Sequence, residues 1–424
     1  MEQLSRAGAL ALGLLTLASA AQLEAQPRAR DLGVPFEGTP GPLNAITDVA
    51  GVEVGHTTLI KGSGMLVPGK GPVRTGVTAV LPRGRNSTSP VFAGWFTLNS
   101  AGEMTGTTWL EERGLLDGPI LITNTHSVGV VRDAAVKWMV RNGWMAAWHA
   151  PVVAETYDGL LNDINGFHVK EQHALNALAS ARGGAVAEGS VGGGIGMLCN
   201  GFKGGNGTAS RRLPETLGGY TVGVLVQCNY GPLKELRIAG APVGAEFAEM
   251  KTLCYARKPA PEATRWSRLP VCDGEDSGAP GEAKAPDGSI IIVVATDAPL
   301  LPHQLKRLAK RPALGLGRLG AIATDGSGDI FIAFSTANPK LMSASEEWQP
   351  QTVQMHPNNE LTPLFLATVQ ATEEAVVNAM VAARTMEGAD HVRALALPHD
   401  ALRAILARYN RLEPSAKGAK RKGN

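Results

Sequence analysis

The sequence predicts an α/β protein in which two sheets pack face to face with helices outside them. Short β-type runs alternate with glycine-rich turns over residues 45–131. Helical patterns at 127–142 and 168–182 then precede two core strands, predicted at 221–229 and 289–296. The C-terminal part is again helical. Alternating blocks of strands and helices are typical of layered folds that bury one face of each sheet against another layer.

The individual elements follow from the spacing of apolar residues. The helix at 127–142 has a single apolar face, and the stretch at 289–296 is an unbroken β-branched run typical of a strand buried on both faces. The remaining elements are predicted, in chain order, as strands at 76–81, 90–97, 119–123 and 330–335 and as helices at 302–310, 360–386 and 400–409.

Three segments lack such periodicity. A polar, proline-rich lead at 26–43 is expected to run extended along the surface. The glycine-rich stretch at 183–212 has neither GxxxxGK[ST] nor a strand–GxGxxG–helix context, so tight backbone packing is predicted there rather than a phosphate loop. The segment at 237–286 is rich in Pro, Gly, Asp and Glu, and it is expected to form a surface loop.

Composition excludes several classes of protein. The chain has 424 residues, of which 44% are hydrophobic and 18% charged, as is usual for a globular protein. A net charge of +2 gives no electrostatic reason to expect a nucleic-acid partner. No apolar run approaches the roughly 20 residues of a membrane-spanning helix, so no membrane partner is expected either.

The N-terminus has the features of a secretory signal peptide. Arg6 precedes a short apolar run, and Ala18-Ser19-Ala20 forms an Ala-x-Ala cleavage pattern. We expect a signal peptide at 1–25, cut after Ala20 or Ala25, and hence a periplasmic or secreted protein. The alternative is a cytoplasmic protein with an apolar N-terminal helix.

The four cysteines have neither the paired spacing nor the histidine neighbours of a zinc site, so no metal is expected. In an oxidising compartment Cys254 and Cys272 are expected to form a disulfide. Cys199 and Cys228 lie in apolar or glycine-rich strand-like stretches, and they are expected to be buried free thiols.

The junction Gly288-Ser289 precedes the most apolar strand of the chain. Glycine reaches backbone conformations closed to other residues, so the peptide bond before Ser289 could be held in a strained geometry. A serine placed there can attack the preceding carbonyl carbon, cut its own chain and become a new N-terminus. It would then carry a hydroxyl nucleophile beside an α-amine with a pKa of about 7.7–8.0. Taken alone, the dipeptide is more often the turn before a core strand.

Five blocks in fixed order give this junction a wider context, and the similarity extends over about 47–406. They are NTHSVGVVRD at 124–133, VAETYDG at 153–159, VQCNYG at 226–231, the Gly-Ser junction at 288–289 and SGDIF at 327–331. Together they resemble the self-processing serine aminopeptidases typified by L-aminopeptidase/D-esterase and the β-peptidyl aminopeptidases. The resemblance implies a four-layer α/β/β/α sandwich, similar to N-terminal nucleophile hydrolases but with different strand connectivity.

The same resemblance implies the organisation of the mature protein. A single catalytic domain at 26–424 would be processed into an α chain, 26–288, and a β chain, 289–424. Homo-oligomers of such αβ units are expected, and no cofactor is implied.

The catalytic residues that the resemblance implies begin with Ser289 as the nucleophile. Ser327 and Asp329, two apart at the start of a strand, share one face and would orient the Ser289 hydroxyl and tune its amine. Asn229 ends an apolar strand, and its amide would donate to a developing oxyanion. Alone, the Ser-Gly-Asp motif is most often a turn and Asn229 could equally be a capping residue.

Substrate recognition is expected behind the strand at 151–154. Glu155 is the candidate for binding the free ammonium group through a charge-assisted hydrogen bond, and Tyr157 would place a hydroxyl near the tetrahedral intermediate. Without the resemblance, Glu155 could simply form a surface salt bridge and Tyr157 could be a half-buried side chain with no catalytic role. Trp148 would form a wall of the same pocket. His126 is interpreted as a capping or packing residue, because an N-terminal amine removes the need for a histidine base.

The predicted activity is hydrolysis of short peptides, amides or esters that have a free N-terminal amine and a small first residue. The sequence leaves open whether that residue is an α-L-, D- or β-amino acid. Two alternatives remain at this level: an acyltransferase related to ornithine acetyltransferase, which uses threonine at its cleavage junction, and a processed but inactive periplasmic peptide-binding protein.

Overall fold

The computed structural model describes residues 26–144, 148–257, 269–272, 288–339, 341 and 350–413. The strands are β1 Glu53–Lys61, β2 Val73–Leu81, β3 Val91–Ser100, β4 Leu115–Leu116, β5 Ile120–Asn124, β6 Val152–Thr156, β7 Leu198–Cys199, β8 Phe202–Lys203, β9 Gly205–Arg212, β10 Thr221–Asn229, β11 Leu253–Tyr255, β12 Ser289–Thr296, β13 Gly328–Ser335, β14 Met386–Glu387 and β15 Val392–Ala394. The helices are α1 Thr107–Arg113, α2 Val128–Arg141, α3 Glu171–Ser180, α4 Val243–Glu246, α5 Pro302–Ala309, α6 Pro312–Arg318, α7 Thr362–Val381 and α8 His399–Arg408.

Two sheets form the centre of the molecule. One has four strands in the order β1-β2-β5-β6, and the other has six in the order β4-β3-β13-β12-β10-β9. Neighbouring strands are antiparallel except for one parallel pair in each sheet, β5 with β6 and β12 with β13. Two small sheets, β11-β15-β14 and β7-β8, lie outside these two.

Three apolar clusters separate four layers. One cluster lies between the sheets and combines residues such as Ile122 of β5 with Ile291 of β12. A second joins the six-stranded sheet to α5–α7, and a third joins the four-stranded sheet to α2 and α3. The order is therefore helices, sheet, sheet, helices, and the predicted α/β/β/α sandwich is confirmed.

Strand β12 shows why an unbroken apolar run suits this position. Its side chains alternate between faces, so Ile291 and Val293 enter the cluster between the sheets while Ile290 and Ile292 face the helices. All eight of its residues are buried. A strand covered on both faces has no position at which a polar side chain would meet water.

Most predicted elements are observed within a few residues, with two notable differences. The helix predicted at 360–386 ends at Val381, because the chain turns there and Met386 enters a small sheet. The glycine-rich stretch contains an eight-residue strand, β9, which the sequence did not indicate. Its Gly207 packs so closely against α7 that a Cβ would overlap the Ala375 carbonyl oxygen.

The expected surface course of the N-terminal lead is wrong. Ala29 and Val34 are buried, and a short 3-10 turn spans Ala29–Leu32. Arg30 binds the fully buried Glu374 of α7 at 2.7 Å. The lead is held against the helical layer because a buried carboxylate needs a cationic partner.

The segment at 237–286 is also more ordered than expected. Its described parts include α4 and β11, and the side chains of Val243 and Tyr255 are buried. Strand β11 pairs with β15, which follows α7 in the chain. Sequence periodicity misses such short elements because they are stabilised by distant partners. The rest of this expected loop, 258–268 and 273–286, lies outside the described residues.

Both cysteine pairs are oxidised. The expected disulfide between Cys254 and Cys272 is present, with an S–S distance of 2.12 Å. The expectation of free thiols at Cys199 and Cys228 is wrong, since these sulfurs are bonded at 1.95 Å. The β7–β8 hairpin brings Cys199 within 5.5 Å, Cα to Cα, of a strand residue 29 positions later.

In the described part of the chain, no helix is long and apolar enough to cross a membrane.

Candidate active site

Ser289 is the first residue of β12, at one end of the six-stranded sheet. It pairs with Asn229 on antiparallel β10 and with Gly328 on parallel β13. In antiparallel sheets, directly paired residues have Cβ atoms about 4.5–5.5 Å apart on the same face. Ser289 is buried, and its hydroxyl makes no hydrogen bond to any described residue. The serine is thus enclosed, and its hydroxyl is not held by any other group in the part of the chain that the structure describes.

The carbonyl group that Ser289 would attack is itself held in place. Gly328 donates its backbone N–H to the Gly288 carbonyl oxygen at 3.2 Å. A Cβ at Gly288 would overlap the carbonyl oxygen of Asn229. The φ angle of Gly288 lies outside the left-handed region, so the proposed strain does not come from there. Glycine is required at this position because two strands approach closely.

Ser327 and Asp329 lie beside this junction, on either side of Gly328. The Ser327 hydroxyl donates to Asp329 Oδ1 at 2.7 Å, so the two side chains meet as their spacing predicts. Burial raises the pKa of Asp329 to about 6, although the Ser327 hydroxyl and the Ile290 N–H favour its charged form. Since Gly328 pairs with Ser289, the dyad flanks the backbone where a new N-terminus would form.

Asn229 has a fixed side-chain orientation. Its Nδ2 donates to the Tyr157 carbonyl oxygen at 2.9 Å, and its Oδ1 accepts from the Leu198 N–H at 2.8 Å. Because Oδ1 is taken by a backbone donor, the amide must present its NH2 group on the opposite side. The second N–H of that group has no acceptor among the described residues.

Glu155 approaches the same place from the four-stranded sheet. Its Oε1 accepts from the Glu103 N–H at 3.1 Å, and its Oε2 accepts from the Thr125 hydroxyl at 2.5 Å. Burial is the largest influence and raises the pKa of this carboxyl, while both donors oppose the rise. A Cβ on Gly102 would lie 3.0 Å from Oε1 and 3.2 Å from the Gly328 Cα, so only a glycine separates Glu155 from the dyad strand.

The roles expected for Tyr157 and Trp148 stay predictions, and the structure describes the surroundings of each side chain. The Tyr157 ring lies over Gly159, where a Cβ would overlap its hydroxyl, and its backbone carbonyl binds Asn229. Trp148 is 56% exposed and packs edge-on against Trp109, with ring centroids 4.3 Å apart. Among the described contacts, none joins Trp148 to the residues around Ser289.

His126 has the packing role that the sequence indicates, with its ring stacked on Phe167 at 5.9 Å between centroids. Sequence reasoning missed the backbone donors of Gly328, Leu198 and Glu103, because every non-proline residue has an N–H and no motif marks those that matter. Thr125 was detectable, since it lies in the first of the five blocks.

Asp158 was also missed. It is fully buried, its oxygens accept from the amides of Asn124 and Asn162 at 3.0 Å each, and burial raises its pKa to about 6. Asn124 is the last residue of β5, the neighbour of β6, so this contact fixes the chain just after the strand that bears Glu155. Three or more potential metal ligands do not cluster anywhere among the residues described.

Fold and site together define a class. An α/β/β/α sandwich with a buried serine opening a central strand is the arrangement of the N-terminal nucleophile hydrolases. The chain belongs to peptidase family S58, because the sequence model of that family matches residues 44–394. It is therefore a peptidase, of the serine aminopeptidase type, which favours hydrolysis over the acyltransferase and binding-protein alternatives.

Two relatives named as aminopeptidases align with almost the whole chain. Beta-peptidyl aminopeptidase BapA of Sphingosinicella microcystinivorans is 60% identical over 404 residues, which are 95% of this chain and 97% of that protein. The protein of the same name from Sphingosinicella xenopeptidilytica is 46% identical over 402 residues, 94% of this chain and 95% of its own length.

Solved structures give the same result. A beta-aminopeptidase from Burkholderia sp. has a TM-score of 0.77 and 46% identity, covering 90% of this chain and 99% of its own. The L-aminopeptidase D-Ala-esterase/amidase of Ochrobactrum anthropi has a TM-score of 0.78 and 46% identity, covering 91% and 100%. The latter is described as a prototype for the serine aminopeptidases and a variant of the Ntn-hydrolase fold.

Proposed function

We propose that this chain is a self-processing β-peptidyl aminopeptidase whose nucleophile is Ser289. The observation that carries the proposal is the register at the start of β12, which pairs Ser289 with Asn229 on one side and with Gly328 on the other. This register supports the proposal because it makes the proposed nucleophile a neighbour of a side-chain amide and of the carbonyl group that it would attack. The names of the two BapA relatives support β-amino acid N-termini as the preferred substrates.

The first step is cleavage of the precursor. The Ser289 hydroxyl attacks the Gly288 carbonyl carbon, the C–N bond breaks, and the acyl group moves from nitrogen to oxygen to form an ester. Water then hydrolyses the ester and leaves an α chain ending at Gly288 and a β chain beginning with the free amine of Ser289. The Gly328 N–H stabilises the negative charge that forms on the Gly288 oxygen.

The second step is turnover of substrate. Glu155 binds the ammonium group of the substrate, and the Ser289 hydroxyl attacks the carbonyl carbon while its own amine accepts the proton. Asn229 donates to the oxyanion. The leaving amine takes the proton, an acyl-enzyme forms on Ser289, and water releases the N-terminal residue. Ser327 and Asp329 orient the Ser289 amine, and Tyr157 borders the site through its main chain.

Short peptides, amides and esters with a small first residue are the proposed substrates, since the groups named would bind only the ammonium group, the developing oxyanion and the scissile bond. Export of the precursor with residues 1–25 as signal peptide is part of the proposal, as are residence in the periplasm or outside the cell and assembly of αβ units into homo-oligomers. The two disulfides support an oxidising compartment.

Intact mass and N-terminal sequencing of the purified protein test the proposal. Two chains are expected, the smaller one beginning Ser-Ile-Ile-Ile-Val. The same preparation is then offered p-nitroanilides of β-alanine, L-alanine and D-alanine, and the β-alanine derivative is expected to have the highest kcat/KM. An uncut chain would remove the nucleophilic mechanism, whereas a cut chain that prefers L- or D-alanine would contradict only the substrate class.

A further inference from the structure

Lys203 is a buried cation that the mechanism above does not use. It is fully buried, and its ammonium group donates to the carbonyl oxygens of Met197 and Gly204, each at 2.8 Å, and of Gly194 at 3.4 Å. None of the ion pairs in the described structure involves it. Burial lowers the pKa of Lys203 to about 7. A buried ammonium without a carboxylate is costly to the fold, so its position needs an explanation.

The hydrogen bonds of Lys203 lead directly to Asn229. The Met197 carbonyl and the Leu198 N–H are the two ends of one peptide bond. Lys203 donates to the first, and the second donates to Asn229 Oδ1 at 2.8 Å. Peptide and side-chain amides are both conjugated, so a donor at the oxygen withdraws electron density from the nitrogen at the other end. Each hydrogen bond therefore strengthens the next, and this series of hydrogen bonds ends at the NH2 group of Asn229.

We propose that Lys203 is a positioning residue of the oxyanion hole, acting through the Met197–Leu198 peptide to orient Asn229 and strengthen its Nδ2–H donor. The proposal rests on the function assigned above to Asn229. It also accounts for the glycine-rich turn at 192–196, whose Gly194 carbonyl helps to surround the ammonium group.

Two further contacts hold the residues of this series of hydrogen bonds in position. Leu198 pairs with Lys203 across the β7–β8 hairpin. The next residue, Cys199, is bonded to Cys228, which immediately precedes Asn229. The hairpin is therefore fixed to the end of β10 by a covalent bond beside the hydrogen bond that it stabilises.

The test compares processed enzyme carrying Lys203→Met with wild type, normalised to the amount of β chain that begins with Ser289. Cooperative strengthening amounts to about 10–30% per bond, and an oxyanion donor is worth roughly 10²–10³ in rate, so kcat should fall about 1.6- to 8-fold. KM should stay unchanged, because the ground-state substrate has no oxyanion. If Lys203→Met does not fold, Lys203→Gln keeps a neutral donor and should shift kcat in the same direction.

Arg83→Met is the matched control. Arg83 is a half-buried cation whose hydrogen bonds to described residues likewise all go to backbone carbonyls, among them those of Thr336 at 2.8 Å and Ala337 at 2.9 Å. These lie just past the other end of β13 from the dyad, so this variant should lose thermal stability and keep the wild-type kcat per processed enzyme.

A double-mutant cycle with Asn229→Ala separates the proposed role from mere support of the fold. If Lys203 acts through Asn229, Lys203→Met should have no further effect on kcat once the amide is gone. An equal loss in both backgrounds, or an unchanged kcat in Lys203→Met, would overturn the proposal. If Asn229→Ala itself leaves kcat intact, the role of Asn229 in the proposed function fails instead.

Discussion

Glu155→Gln is the substitution that most directly tests substrate recognition. Glutamine has nearly the same shape, and it can keep the hydrogen bonds from the Glu103 N–H and, after rotation of the hydroxyl, with Thr125. The fold should therefore survive, while the negative charge is lost. Because Glu155 is 3% exposed, water cannot replace that charge when the substrate ammonium binds.

The size of the effect follows from the bond that is weakened. A hydrogen bond to a charged group contributes about 1.5–3 kcal/mol, and about 1.4 kcal/mol corresponds to a factor of ten. We expect kcat/KM for β-alanine p-nitroanilide to fall roughly 10- to 150-fold, mainly through KM. Propanoyl p-nitroanilide has the same acyl length without the amine, so its kcat/KM should change by less than about twofold.

Glu188→Gln serves as the control for losing a buried carboxylate. Glu188 lies in the glycine-rich stretch and is paired at 2.8 Å with Arg28 of the N-terminal lead. Its substitution should lower the melting temperature and leave the ratio of the two substrates at the wild-type value. Equal losses on both substrates in Glu155→Gln, or no loss on either, would refute the assignment of the ammonium site to Glu155.

The remaining predictions concern the nucleophile, the oxyanion donor, the dyad and a disulfide. Ser289→Ala should give one uncut, inactive chain on a denaturing gel; a cut product would exclude Ser289 as the nucleophile. Asn229→Ala should lower kcat roughly 10²–10³-fold in steady-state assays. KM should change less than kcat, and the opposite result would contradict the role of Asn229 as an oxyanion donor. Since burial raises the pKa of Asp329 to about 6, its carboxylate forms as the pH rises through that value, and kcat/KM should rise with it; a pH profile of Asp329→Asn that keeps this limb would contradict the role of the dyad. Replacing Cys199 and Cys228 with serine should lower the free energy of unfolding by about 3.5 kcal/mol, because the disulfide closes a loop with a sequence separation of 29 and so restricts the unfolded chain. Unchanged urea unfolding would show that the bond adds no stability.

Local patterns determined much of the fold. The β-branched run at 289–296 is a strand of the same length in the structure, and the strand predicted at 221–229 is β10. Helix α2 lies within one residue of its predicted ends at each side. These elements are predictable because a strand buried on both faces and an amphipathic helix each impose a period that one stretch of sequence records.

The site was predictable in its residue types but not in its connections. The order of the five blocks indicates Ser289, Asn229 and Glu155, yet no spacing shows that Asn229 and Ser289 are register partners. Nor does it show that the backbone N–H of Gly328 reaches the Gly288 carbonyl. Backbone donors have no sequence signature, since every residue except proline has one.

The sequence by itself determined the class of reaction and most of the central strands and helices, and it predicted Ser289 as the nucleophile, because these depend on residue types and on periods within single segments. Only the tertiary structure decided that Cys199 is bonded to Cys228, that Trp148 packs on Trp109, and that the ammonium group of Lys203 leads to Asn229. Each of these depends on which strands become neighbours. That choice is made by the burial of whole sheet faces, a sum over residues far apart in the chain.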